Sequence, residues 1–126
     1  MPYHVSKADF ARLVESAIQE LPEQFAEHLE EVPIEIRERP TRKQLRSVGL
    51  GDDELLLGLY SGTALPDRSV ELGVRMPDKI YLFQEDIELV SDSEEQLKHE
   101  VRTTVLHEIG HHFGLDEDDL NELGYG

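Results

Sequence analysis

Cysteine is absent from the 126-residue chain, which excludes disulfides and any metal site built on thiolates. Tryptophan is absent too, and aromatics make up only 6% of residues, so a core must come from Leu, Ile, Val and the four Phe. Bases are scarce. Twelve Lys and Arg stand against 28 Asp and Glu, for a formal net charge of −16. Nucleic-acid binding and adsorption to anionic membranes both need a basic footprint, so neither partner is expected. No stretch of the sequence approaches the roughly 20 apolar residues of a membrane span. Residues 1–7 lack the apolar core of a secretory signal, so the expected setting is cytoplasmic.

What is present is periodic. The length suits one domain, residues 1–126, with a modest core. Phe10, Leu13, Val14, Ala17, Ile18, Leu21 and Phe25 fall at three- and four-residue spacing, which predicts a helix over 6–30. Ser6 is its N-cap, and Pro22 kinks or restarts it. Val32, Ile34 and Ile36 alternate with polar or imino neighbours and predict a strand. Residues 40–53 predict a loop with a short helical turn. Strands are expected at 55–60 and 79–84, separated by a Gly- and Pro-containing loop or hairpin. Gly58 inside the second strand points to a bulge or a close backbone approach. Ser91-Asp92-Ser93-Glu94-Glu95 starts a long helix that runs to about Phe113 and stops at Gly114, before a short helix from Asp116 to Leu123. The order predicts an α+β fold.

The long helix carries the chemistry. Leu97, Val101, Val105 and Ile109 recur every four residues as a packing stripe. His107 and His111 lie off it, about 40° apart around the axis at ~100° per residue. Their four-residue spacing brings the Cβ atoms within about 5–6 Å, which suits two imidazoles on one ion. Glu108 flanks them, placed to act on water rather than as a ligand. His-Glu-x-x-His on a helix is the zincin pattern: Zn2+ polarises a carbonyl and acidifies water, and the Glu serves as general base. Two ligands leave the set incomplete. Gly114 can turn the chain back toward the ion, and acids follow at Asp116, Glu117, Asp118 and Asp119. Those acids also suit a cap and first turn of the last helix.

Residues 104–114, together with Leu57-Gly58-Leu59-Tyr60-Ser61-Gly62 and Pro77-Asp78-Lys79-Ile80-Tyr81-Leu82-Phe83, resemble the small bacterial zincin-like metallopeptidases. The resemblance implies a minimal zincin fold over nearly the whole chain, with a short mixed sheet packed on the N-terminal and motif helices. It implies a peptide or protein substrate. It also implies an extended pattern, His-Glu-x-x-His-x-x-Gly-x-x-Asp/His, whose last position falls here on Glu117. The departure from Asp leaves Asp116 and Asp118 as alternatives for the third ligand. The Met of a Met-turn is missing, since only Met1 and Met76 occur. Tyr125 either packs under the site, donates to a developing oxyanion, or is a frayed terminal aromatic. His112 points away from the motif face. In zincins an edge strand beside the motif helix can take an extended peptide, and Lys79 to Gln84 is the strand expected here. The competing readings are a zinc- or peptide-binding module without turnover, and a metal-dependent hydrolase of other amides or of RNA. A monomer or a homodimer fits equally.

Overall fold

The computed structural model describes residues 3–29, 32–61 and 79–112, without the side chains of Gln24, Ala26, His28, His111 and His112. Helix α1 spans Lys7–Gln19 and α2 spans Glu23–Leu29. Ser6 caps α1, its hydroxyl accepting the Asp9 N–H at 3.1 Å. Of the two outcomes expected at Pro22, a kink or a restart, the restart is the one observed, because Pro22 cannot supply a helical N–H. The chain restarts with the Pro22 carbonyl accepting from Phe25 at 2.9 Å. Phe10, Leu13, Val14, Ala17, Leu21 and Phe25 are all buried, so the stripe read from the sequence is the packed face.

Strand β1 spans Ile34–Arg37, helix α3 Arg42–Ser47, β2 Gly58–Ser61 and β3 Lys79–Phe83. The strands form a mixed sheet in the order β1-β3-β2, with β1 parallel and β2 antiparallel to β3. This corrects one expectation. β3 is the central strand, hydrogen-bonded on both sides, and has no edge to offer a peptide. The second strand is also shorter than expected at its start, since the Leu56 N–H goes to the Asp86 carboxylate at 2.9 Å instead of to a strand.

Helix α4, Gln84–Leu89, follows β3 without a loop and has no counterpart among the expected elements. It buries Ile87 and two acids, Asp86 and Glu88. Glu88 accepts the Val5 N–H at 2.8 Å, while Gln84 donates to the Val5 carbonyl at 3.0 Å. α4 thus brackets the N-terminal segment on one side and the approach to β2 on the other.

Helix α5 spans Glu94–His112. Ser93 caps it, its hydroxyl accepting from the Gln96 N–H at 3.1 Å. Leu97, Val101, Val105, Leu106 and Ile109 are buried against α1 and against Ile80 and Leu82 of β3. Tyr81 and Phe83 stack on the other sheet face, with ring centroids 6.2 Å apart. The result is an α+β fold whose core lies between one sheet face and the helices α1 and α5. Among the described residues, no helix is long and apolar enough to cross a membrane.

Candidate metal centre

The rotation of α5 is set by its buried stripe. With Val105, Leu106 and Ile109 in the core, Glu108 turns to β2, and it and His107 are both partly buried. The Nε2 atom of His107 is shielded from solvent. The His111 backbone lies one turn further along the same helix, a rise of about 6 Å. Its side chain is outside the described residues, as are that of His112 and all of Gly114, Asp116, Glu117, Asp118 and Tyr125. Among the described residues no three His, Asp or Glu groups form a metal cage.

Two contacts fix the helix to β2. The first is at Gly58, where an added Cβ would collide with the Thr104 methyl and come within 3.1 Å of the Tyr81 carbonyl. The close approach expected from a glycine in a strand is this one: α5 lies flush on the β2 backbone. The second is the Tyr60 N–H, which donates to the Glu108 carboxylate at 3.1 Å. The direction of that N–H follows from the ladder. Phe83 donates to the Leu57 carbonyl at 3.0 Å, so Leu57 turns its backbone groups toward β3. Such groups alternate along an antiparallel pair. Leu59 and Ser61 therefore also face β3, and Gly58 and Tyr60 turn theirs outward.

Glu108 thus holds the outer edge of β2, where its carboxylate is oriented by a main-chain donor. Thr104 and the Tyr60 N–H are the parts that sequence reasoning missed. Gly58 was the available signal for the first; a backbone donor leaves no signal at all.

A cleft of about 790 Å3 lies at the opposite edge of the sheet, lined among others by Lys7, Ile36, Arg37, Arg39, Gln44 and Tyr81. Its bases are engaged: Lys7 with Glu38 at 2.8 Å, Arg37 with Glu35, and Arg39 with Glu85 at 3.6 Å. No histidine lines it, and surface pairs of this kind contribute little.

The profile of the zincin-like metallopeptidase family matches residues 29–126, which include the whole motif. No curated protein matches the chain. Among solved structures, a conserved hypothetical protein from Thermo thermophilus is similar with a TM-score of 0.59 at 23% identity, over 86% of this chain and 94% of that one. That likeness is one of fold.

Proposed function

The chain belongs to the zincin-like metallopeptidase family, and from that premise we propose that it is a zinc-dependent peptidase in which Glu108 is the general base. The observation that carries this reading is the Glu108 carboxylate, one residue after His107 on α5, held by the Tyr60 N–H of β2. His107, His111 and Glu117 would hold the ion, with Asp116 and Asp118 as alternatives to Glu117. Zinc, when bound, polarises the scissile carbonyl and acidifies water. Glu108 then takes a proton from the attacking water as its oxygen adds to the carbonyl carbon. It returns that proton to the leaving nitrogen as the C–N bond breaks. Tyr125 is the candidate donor to the developing oxyanion.

The substrate on this reading is an extended peptide lying along β2, not along the central β3. The outward backbone groups of Gly58 provide pairing positions next to the motif. With a net charge of −16, the protein favours approach of basic peptides and repels nucleic acid. The reading includes a cytoplasmic setting and either a monomer or a homodimer.

The test is a peptide-library cleavage assay run beside metal analysis. Wild type should bind zinc near stoichiometry and cleave. Glu108→Gln should keep the zinc and lose at least about a hundredfold in turnover, the scale of general-base contributions. Paired His107→Ala and His111→Ala changes should lose the metal. Unchanged turnover in Glu108→Gln would sink the mechanism. Zinc without cleavage in wild type would favour a silent binding module.

A further inference from the structure

We propose that Gly58 and Thr104 act as a positioning pair, whose flush contact sets the Glu108 carboxylate against the Tyr60 N–H. Thr104 meets Gly58 and Glu108 meets Tyr60, so helix and strand run in the same direction here. Four helical residues rise about 6 Å. Two strand residues advance about 6.6 Å. The two intervals nearly match, so the depth of the first contact is transmitted to the second. Thr104 is 8% exposed and sits between Val101 and Val105, both fully buried. The helix therefore cannot roll to absorb a change there without disturbing the core. A Cβ at position 58 would push on the Thr104 methyl from one side and meet the Tyr81 carbonyl on the other. If Thr104 keeps its rotamer, β2 or α5 must shift, and the Tyr60–Glu108 bond is the next contact along.

The catalytic consequence rests on the peptidase reading, but the positioning does not. Both can be read separately on the full chain. The first readout is the backbone amide proton of Tyr60 by NMR on metal-free protein. A carboxylate acceptor shifts this proton downfield, and Glu108→Ala defines its unbonded position. Gly58→Ala should move the Tyr60 amide toward that position. Adding Thr104→Ser, which removes the methyl but keeps the hydroxyl, should return it toward wild type. Thr104→Ala alone, which leaves a gap instead of a clash, should loosen the bond and raise Tyr60 amide exchange; it is the informative variant if Gly58→Ala does not fold. The second readout is turnover of the zinc-loaded protein. A misplacement of about 1 Å can cost on the order of a hundredfold, so Gly58→Ala should lose about 10- to 100-fold in kcat, with recovery in the double variant. An unmoved Tyr60 amide in both Gly58→Ala and Thr104→Ala overturns the proposal. So does an amide that moves but is not restored by Thr104→Ser. If the amide responds as expected while wild type cleaves nothing, the positioning stands and the peptidase reading falls.

Discussion

Asp86 offers a test of the fold that is independent of the metal centre. Its side chain is only 3% exposed, and one carboxylate oxygen accepts the Leu56 N–H at 2.9 Å. Burial pushes the Asp86 carboxyl above its usual range; the Leu56 hydrogen bond and the charge of Arg39 pull the other way without cancelling it. The sign follows directly. A carboxyl raised in the folded state is held more tightly as the neutral acid there than in the unfolded chain. Its penalty is absent below the unfolded value, grows as pH rises from there to the folded value, and is complete above the folded value. Asp86→Asn keeps an acceptor for Leu56 and removes the buried charge. It should be neutral or stabilising at pH 7, and its advantage over wild type should shrink as pH falls toward the ordinary Asp value of about 3.9. Asp86→Ala leaves the Leu56 N–H without this acceptor and should cost about 1–3 kcal/mol. At roughly 4 °C per kcal/mol for a chain of this size, that is readily seen in thermal melts followed by circular dichroism. The reasoning fails if Asn and Ala are equally destabilising at pH 7, or if the difference between Asn and wild type is the same at every pH.

Two further outcomes follow from the same contacts. Glu88→Ala removes the acceptor of the Val5 N–H while Gln84 still holds the Val5 carbonyl, so it should loosen Val5 without releasing the segment; amide exchange at Val5 should rise well beyond that at Ile80, which is held by Pro33. Glu20 pairs with Lys98 at 2.7 Å and Arg102 at 2.6 Å, tying the end of α1 to α5, and the Lys98 hydrogen bond is the largest influence holding its carboxyl below the usual range. Glu20→Gln should therefore lower the melting temperature slightly at neutral pH, with the difference fading in high salt and as pH falls below the carboxylate range.

The sequence is most legible where one residue pattern determines one structure. The four-residue stripe of α5 names its buried face, because a helix repeats its faces regardless of what packs there. Gly58 announces a close approach but not its partner, since Thr104 lies far along the chain and no local pattern joins the two. Alternation in Ile80, Tyr81 and Leu82 gives the faces of β3 and is silent on its neighbours, so a central strand reads as an edge. α4 escapes notice because Gln84–Leu89 is only six residues long, too short for a helical period to stand out, and short helices depend on packing such as that of the buried Ile87. At the candidate site, the spacing of His107, Glu108 and His111 is legible in the sequence, because a four-residue interval returns to nearly the same side of a helix. The roles given to Glu117 and Tyr125 fall outside the described residues.

The central place of β3 has a consequence for how the chain acquires its structure. β1 ends at Arg37 and β2 at Ser61, yet each has β3 as its ladder partner. Residues 34–37 must wait for residues 80–83 before their first strand bond can close, and loop-closure entropy makes such distant pairings slow to form. During synthesis both outer strands leave the ribosome with no ladder to join. The Glu- and Arg-bearing face of β1, with Pro33 just before it, then acts as a gatekeeper, keeping a waiting strand from pairing with that of another nascent chain.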